Sequence, residues 1–336
     1  MAETAPLSIS FVSMLLISSP RFQEHTTPPG HPERPERAEI FDQVAQIWRD
    51  RGLQIVEPRP ATRDELLRVH DDAHVSAMEQ TAGRAVMLDP DTFTSPESFD
   101  VALLAAGAAV QASSYAIDTR NPALALVRPP GHHAERERAM GFCLFNNVAV
   151  AAAAAIARGL ARVAVVDIDV HHGNGTQWMF YDDPRVLYVS THQFPFYPGT
   201  GAADETGKGP GKGFTLNIPL AAGATDTDYA AAYAMISERL HDYRPELLLV
   251  SAGFDAHRDD PLASMRVTTD GYAAIVRSLK DAATRIGCPM AFVTEGGYDL
   301  DALRACLDAC LAIAACDGGS KHARIVVRSD LANYFI

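Results

Sequence analysis

Four segments of the sequence end in histidine, aspartate or tyrosine side chains beside glycines, and each follows a run of apolar residues. The segments are Arg128-Pro-Pro-Gly-His132-His133, Asp167-Ile-Asp169-Val-His171-His172-Gly-Asn174-Gly, Ser251-Ala-Gly-Phe-Asp255 and Glu295-Gly-Gly-Tyr298. The apolar runs have the composition of buried β-strands, and ligands of open α/β sheets bind beyond the carboxyl ends of the strands. Four endings of this kind at one edge of one sheet predict an active site.

Two of these segments carry residues that suit a metal ion. Asp167, Asp169 and His171 are spaced two residues apart, so in an extended strand their side chains share one face. Asp169 and His171, joined by Asp255 from another strand, give two carboxylates and one imidazole, a set that suits a divalent metal such as Zn²⁺ or Fe²⁺. Three protein ligands leave room for water and substrate, as in catalytic sites. A lone Asp-x-Asp is more often explained by helix capping, but capping does not explain this combination of two carboxylates and a histidine. We therefore favour the metal site.

The other two segments offer acid/base groups and a hydrogen-bond donor. His132 and His133 follow a stiff Pro-Pro-Gly turn that would present both rings to one cavity, where general acid/base catalysis is the expected role. Tyr298 follows two glycines, and its phenol would donate a hydrogen bond to an oxyanion that forms beside the metal. A tandem histidine or a single tyrosine is more often a surface or core feature, so both interpretations depend on the metal set.

The elements that must position these residues alternate between strand and helix. Most apolar runs lack polar alternation, as strands buried on both faces do. The alternation predicts βα units and a single α/β domain with a mainly parallel sheet of about eight strands flanked by helices. The predicted strands are residues 7–17, 53–56, 123–127, 162–168, 186–191, 214–219, 246–251 and 289–294. The predicted helices include residues 35–51, 96–117, 146–158, 226–243, 270–286 and 300–315.

Composition narrows the class of protein and its partners. The 336 residues include 29 Lys and Arg against 42 Asp and Glu, a formal net charge of −13, and 47% are hydrophobic. This composition argues against a disordered chain and against direct nucleic-acid binding. The apolar run at 7–17 is too short to span a bilayer, so we expect no membrane association. Five cysteines without a regular framework favour reduced thiols and a cytoplasmic location, and a homo-oligomer is left open.

The ordered motifs resemble the zinc-dependent histone deacetylase superfamily, which includes bacterial histone deacetylase-like amidohydrolases and acetylpolyamine amidohydrolases. The resemblance is carried by the four segments above and by Gly141-Phe-Cys-Leu-Phe-Asn-Asn, and it extends from about His31 to about Cys310. The motif Asp-x-Asp-Val-His-His-Gly-Asn-Gly-Thr-Gln is similar to the corresponding motif of the class II branch. The resemblance implies the arginase–deacetylase fold, with an eight-stranded parallel sheet, and a single deacetylase domain over residues 1–336.

The resemblance also implies the cofactors and the catalytic roles. Zn²⁺, or Fe²⁺ in its place, would be bound by Asp169, His171 and Asp255. His133 would be the principal general base and acid, and His132 would be its electrostatic partner. A structural K⁺ would be held by main-chain and side-chain oxygens near four residues, Asp167, Asp169, His171 and Ser190.

Further residues would support the catalytic pair and shape the substrate channel. Asp167 would hold His132, Asn174 would hold His133, and Tyr298 would polarise the scissile carbonyl. Some branches of the superfamily have Asp where this chain has Asn174, which would leave His133 less strongly tied to a carboxylate. The residues expected along the channel, at its rim and at an inner acetate cavity are Gly141, Phe142, Tyr197, Leu262, Asp89 or Asp91, and Arg37.

Several functions fit the motifs. Removal of acetyl groups from lysine in proteins or peptides is the first, and deacetylation of small acetylated polyamines is the second. Some polyamine-selective relatives carry a rim Glu where this chain has Leu262, which favours lysine, whereas the acidic net charge favours a cationic substrate in general. A binuclear ureohydrolase would need second-metal ligands that we do not find in the sequence. A non-catalytic acyl-lysine binding module would be expected to lack a ligand, a catalytic histidine or the tyrosine.

Overall fold

The strands of the protein form a large parallel sheet and a small antiparallel hairpin. The computed structural model describes residues 13–315 of the chain. Its strands are β1 (Leu15–Ile17), β2 (Gln54–Val56), β3 (Val86–Met87), β4 (Phe93–Thr94), β5 (Ala123–Ala125), β6 (Val163–Asp167), β7 (Val186–Gln193), β8 (Thr215–Leu220), β9 (Leu247–Ala252) and β10 (Met290–Thr294). The order across the eight-stranded sheet is β2-β1-β5-β10-β9-β6-β7-β8, and all of its pairs are parallel. Strands β3 and β4 form the hairpin.

Most connections between the parallel strands contain an α-helix, as is usual for crossovers. The connection from β7 to β8 is instead a long loop with one 3-10 turn at Gly209–Gly211. The α-helices of the described residues are α1 (Glu36–Asp50), α2 (Arg63–Leu66), α3 (Asp72–Glu79), α4 (Ser98–Thr119), α5 (Asn147–Ala157), α6 (Asn174–Met179), α7 (Asp226–Tyr243), α8 (Thr269–Ile286) and α9 (Leu300–Ala314). Their ends follow from local chemistry. The side chain of Asn146 accepts a hydrogen bond from Ala149 N and starts α5, and Gly287 ends α8 in the left-handed conformation.

The sheet separates two hydrophobic cores, and β6 contributes to both. Val163 and Val165 pack into the core that includes α4 and α5, whereas Ala164 and Val166 pack into the core that includes α7, α8 and α9. Every residue of β6 is buried. A strand covered on both faces needs apolar residues at successive positions, which explains the missing polar alternation. This burial holds the carboxyl end of β6 in a fixed position.

The α/β fold predicted from the sequence is confirmed, including the eight-stranded parallel sheet and its flanking helices. The first predicted strand is observed only at β1, and residues 7–12 lie outside the described residues. Sequence reasoning missed the β3–β4 hairpin and the short helices α2, α3 and α6. It also extended the β6 strand too far, because β6 ends at Asp167 and residues 169–171 form bends.

Within residues 13–315, one helix has the length and composition that a membrane span requires. This is α4, which has an 18-residue window with a mean hydropathy of 1.3. The helix packs against α5 and β5, and 67% of that window is buried inside the protein. The apolar residues of α4 are therefore used in the core beside the sheet.

Candidate active site

The topology places the four motif strands side by side. In the order β5-β10-β9-β6, each of these strands ends in one of the chemistry-bearing segments. The register fixes their relative heights, since Asp167 pairs with Ser251 on β9, and Ser251 pairs with Val293 on β10. The parallel direction brings all four carboxyl ends to one edge of the sheet. The sequence-predicted residues therefore converge from segments that are far apart in the chain.

Asp169, His171 and Asp255 form the candidate metal centre. Their ligand atoms all lie within 4.8 Å of one another, and the three residues are buried. His171 Nδ1 lies 3.1 Å from Asp169 Oδ1 and 3.1 Å from Asp255 Oδ2. The expected extended strand is not what aligns them. Asp167 Oδ1 accepts a hydrogen bond from Asp169 N, and Asp169 Oδ1 accepts one from His171 N, so side-chain bonds to the backbone hold the bends.

The electrostatics of this set suit a cation. Burial and the neighbouring Asp169 raise the pKa of Asp255 to about 7. Burial opposes protonation of His171, but the hydrogen bonds to both aspartates outweigh it and raise its pKa to about 10. Two buried carboxylates lie close together, so a positive charge between them is stabilised. Two carboxylate oxygens and one imidazole nitrogen are also ligand atoms that Zn²⁺ binds. The residues present therefore fit a divalent metal ion.

Glycine at position 296 allows the carboxylates to approach the backbone. Gly296 N donates to Asp169 Oδ2 at 2.8 Å, and a Cβ atom added at this glycine would lie 2.2 Å from Asp255 Oδ2. Val170 N donates to Asp255 Oδ1 at 2.8 Å. These backbone donors fix the orientation of both carboxylates before any ligand binds.

His132 and His133 lie next to the metal set. Their ring centroids are 4.0 Å apart, and His132 Nε2 is 3.8 Å from Asp169 Oδ1. His132 Nδ1 lies 3.0 Å from Asp167 Oδ2, and His133 Nδ1 lies 2.8 Å from Asn174 Oδ1. The structure thus brings together both histidines and the partner expected for each.

Tyr298 is buried beside Phe142. Its backbone N donates to Asp260 Oδ2 at 2.6 Å, and its ring packs edge-on against Phe142 with centroids 5.9 Å apart. Burial raises the pKa of Tyr298 well above 10, so the phenol keeps its proton. The guanidinium carbon of Arg37 lies 5.0 Å from the ring centroid of Tyr298, and Arg37 is itself fully buried.

Aromatic side chains pack against His133 and His171. Tyr197 packs edge-on against His133 with centroids 5.1 Å apart, and Phe196 stacks on His171 at 5.6 Å. Phe142 N donates to Thr92 Oγ1 at 3.1 Å. Gly141 has a φ of +56°, and a Cβ atom there would lie 2.5 Å from His133 Cδ2, so this position needs glycine. Of the residues expected along the channel, Tyr197 and Gly141 therefore lie against His133, and Phe142 lies against Tyr298.

Comparison with known proteins identifies the family. A model of the histone deacetylase domain matches residues 31–314 of the chain. The chain belongs to the histone deacetylase family. A probable deacetylase from Methanothermobacter thermautotrophicus is 43% identical over 295 residues, which cover 86% of this chain and 87% of that protein.

Other members of the histone deacetylase family are similar in sequence and structure. A histone deacetylase-like amidohydrolase from Pseudomonas aeruginosa is 40% identical over 280 residues, which cover 80% of this chain and 73% of that protein. The crystal structure of the HDA15 HD domain matches with a TM-score of 0.86 and 37% identity, covering 90% of this chain and 89% of that domain. These matches confirm two predictions from the sequence: the resemblance to the histone deacetylase family and the arginase–deacetylase fold.

Four residues were expected to surround a potassium ion in this family. Asp167 and Ser190 are paired neighbours in the register of β6 and β7, and the bends that carry Asp169 and His171 follow β6. Ser190 is buried, and its Oγ lies 2.9 Å from His192 Nδ1. The potassium ion itself stays a prediction.

The residues expected at the rim, Asp89, Asp91 and Leu262, lie in loops. Asp89 and Asp91 lie between β3 and β4, where Asp91 N donates to Asp89 Oδ1 at 3.0 Å. The carbonyl oxygen of Asp91 lies 3.0 Å from His31 Nε2, and the His31 ring packs against Phe142 with centroids 4.7 Å apart. Leu262 is half-buried, and its N donates to Asp260 Oδ1 at 3.0 Å.

Sequence reasoning missed three buried acids that position the site. Glu295 Oε2 accepts hydrogen bonds from the backbone N atoms of the His132 turn, and Glu295 Oε1 accepts one from Ser251 Oγ. Asp260 links the loop of Leu262 to the backbone of Tyr298. Glu33 forms ion pairs with Arg37 and Arg128 in the interior. The available signals were the motifs that contain these acids, Glu295-Gly-Gly-Tyr298, His31-Pro-Glu33 and Asp260-Pro-Leu262, but no spacing in them reveals the contacts that the acids make.

Proposed function

We propose that this protein is a metal-dependent amidohydrolase that removes acetyl groups from the ε-amino group of lysine in proteins or peptides and releases acetate. The observation that carries the proposal is the buried Asp169–His171–Asp255 set with His132 and His133 packed directly beside it. Membership of the histone deacetylase family supports the same reaction.

The proposed cofactor is Zn²⁺, held by Asp169, His171 and Asp255. When bound there, the ion would lower the pKa of a water molecule and polarise the acetyl carbonyl. The chain must then move protons. Burial and the charge of His132 lower the pKa of His133 well below 6.5, so His133 is neutral and can take a proton from the attacking water. The protonated His133 would next deliver that proton to the departing amine.

Two other side chains would support the charges that develop. Tyr298 keeps its proton and would donate a hydrogen bond to the oxyanion of the tetrahedral intermediate. Burial opposes the charged form of His132, but Asp169 and Asp167 outweigh it and raise its pKa well above 6.5. His132 would therefore stay cationic while His133 changes its protonation state.

Lysine and polyamine substrates differ in what the rim must recognise. Leu262 provides no charge at the position where a rim carboxylate would select a small polycation, which supports acetyl-lysine. The carboxylates of Asp89 and Asp91, on a loop that contacts His31 next to Phe142, together with the net charge of −13, favour acetylated polyamines as the second candidate. Both substrates would yield a cationic amine and acetate.

A substrate and metal panel tests the proposal. Metal-depleted protein should not deacetylate an acetyl-lysine peptide, and Zn²⁺ should restore the rate. N-acetylputrescine, assayed beside the peptide, measures the preference as a ratio of kcat/KM values. A higher kcat/KM for N-acetylputrescine than for the peptide would show that acetylated polyamines are the preferred substrates. Full activity after metal depletion, or no turnover of either substrate with Zn²⁺ restored, would overturn the amidohydrolase proposal.

A further inference from the structure

A carboxylate lies one hydrogen bond beyond the pair formed by His133 and Asn174. Asn174 Oδ1 lies 2.8 Å from His133 Nδ1, and Asn174 Nδ2 donates to Glu135 Oε1 at 2.7 Å. The second carboxylate oxygen of Glu135 accepts a hydrogen bond from Arg138 Nε at 2.9 Å. The four side chains form one series of hydrogen bonds from the exposed Arg138 to the buried His133.

The orientation of the Asn174 amide decides whether a hydrogen-bond acceptor or a donor faces His133 Nδ1. An amide has one accepting end and one donating end, whereas a carboxylate only accepts. Glu135 therefore binds the Nδ2 end of Asn174. Two more acceptors, Met140 Sδ at 3.4 Å and the backbone oxygen of His133 at 3.5 Å, lie near the same nitrogen. The Oδ1 end must then face His133 Nδ1, which has to donate to it.

This orientation selects one of the two neutral tautomers of His133. A neutral imidazole carries its proton on one nitrogen and a lone pair on the other. With the proton on Nδ1, the lone pair is on Nε2, and that nitrogen becomes the base. We propose that Glu135 is a positioning residue that fixes the catalytic tautomer of His133 through the amide of Asn174. The inference rests on the proposed function, in which His133 accepts the proton of water.

A simpler view treats Glu135 and Arg138 as a surface ion pair. Exposed pairs contribute little, and Glu135 would then have no effect on catalysis. The Glu135 side chain, however, is only 22% exposed, whereas that of Arg138 is 62% exposed. Glu135 also uses separate oxygens for Arg138 and Asn174, so the contact with the amide is not a by-product of the ion pair.

Substitution by glutamine separates the two views. In Glu135→Gln, Arg138 competes for the single side-chain oxygen, and the new amide can donate to Asn174. The Asn174 amide can then turn over and present Nδ2 to His133, which favours the wrong tautomer. The matched control is Glu137→Gln, which removes the same charge from an exposed residue two positions away. Each change is also made in an Asn174→Asp background, where either carboxylate oxygen accepts from His133 whatever residue 135 is.

For Glu135→Gln we expect kcat on the acetyl-lysine peptide to fall roughly 10-fold, the loss of one charge-assisted hydrogen bond, with KM within about twofold of wild type. Glu137→Gln should keep wild-type kcat. The loss caused by Glu135→Gln should disappear in the Asn174→Asp background. Equal kcat values for Glu135→Gln and Glu137→Gln, or the same loss in both backgrounds, would overturn the proposal.

Nitrogen-15 NMR of the histidine rings in the metal-free protein tests the tautomer without turnover. Wild type and Glu137→Gln should show the proton of His133 on Nδ1, and Glu135→Gln should shift it towards Nε2. An unchanged tautomer in folded Glu135→Gln, with folding checked by the thermal midpoint, contradicts the role of Glu135. Absence of deacetylation by wild type would instead contradict the proposed function, so the two failures are distinguishable.

Discussion

The ring centroids of His132 and His133 lie 4.0 Å apart, and the surroundings of the two rings shift their pKa values in opposite directions. Burial disfavours the charged form of both. Asp169 and Asp167 reverse this effect at His132, whereas the neighbouring charge of His132 strengthens it at His133. One imidazole is therefore held as a cation, and the adjacent one is neutral and able to accept a proton. Two identical side chains acquire different roles from their neighbours.

Substitution of the two histidines should have unequal effects. His133→Ala removes the proposed base, and we expect kcat to fall by roughly 10²–10⁴-fold. His132→Gln keeps the base but removes a positive neighbour, so the pKa of His133 rises. Because activity needs neutral His133, the acid limb of the kcat profile should move to higher pH in His132→Gln. Rates measured across the pH range check this. An acid limb that does not move would argue against electrostatic coupling of the pair.

Removal of a single hydroxyl tests the oxyanion donor. Tyr298→Phe keeps the ring that packs against Phe142 and Arg37, so we expect a folded protein that still binds metal. The expected loss in kcat is roughly 10²–10³-fold, as for other oxyanion-hole donors. Tyr115→Phe, a half-buried tyrosine on α4, is the control and should keep wild-type kcat. A Tyr298→Phe variant with unchanged kcat would remove Tyr298 from the mechanism.

The large parallel sheet was predictable because each central strand is a continuous apolar run covered on both faces. The β3–β4 hairpin was not, since strands of two residues are too short to show any periodicity. Helix α6 begins at Asn174 inside a glycine-rich motif, and glycine is a poor helix former, so its helical signal is hidden. Both the β3–β4 hairpin and helix α6 therefore form because of tertiary packing and not because of a local sequence pattern.

The main site residues were predictable because strand ends of one parallel sheet must meet at one edge. Asp260 and Glu135, which hold Tyr298 and Asn174, were not predictable, since their roles depend on contacts between distant loops. Asp260 reaches the backbone of Tyr298, and Glu135 reaches Asn174, across gaps that no local spacing reveals. The bends at residues 169–171 were missed because hydrogen bonds from aspartate side chains replace the strand ladder there.

Metal binding should stabilise the folded protein, because the carboxylates of Asp169 and Asp255 are buried close together without it. A ligand that binds only the native state raises the thermal midpoint as its concentration rises above Kd. We expect Zn²⁺ to raise the midpoint of metal-depleted wild type and to have no such effect on Asp255→Ala. Asp259→Ala, at an exposed aspartate in the same loop, is the control and should respond like wild type. Equal responses of all three proteins would place the ion elsewhere.

Acid should destabilise the protein through His70, which supports the loop around the histidine pair. His70 Nδ1 donates to the backbone oxygen of Glu135, and His70 Nε2 accepts from Asn146 N, so the buried ring is required as the neutral form. Burial, with the neighbouring His74, lowers the pKa of His70 to about 3. In the unfolded chain the pKa returns to about 6.5.

Below that pH the unfolded chain binds a proton that the folded protein does not bind. The free energy of unfolding should therefore decrease as the pH falls from about 6.5 towards about 3, with a contribution from His70 of about 1.4 kcal/mol per pH unit. His70→Gln should be less stable at neutral pH and should lose this part of the slope. Urea unfolding at a series of pH values measures it, with the exposed His241→Gln as control. A His70→Gln slope equal to that of wild type would show that other groups carry the acid sensitivity.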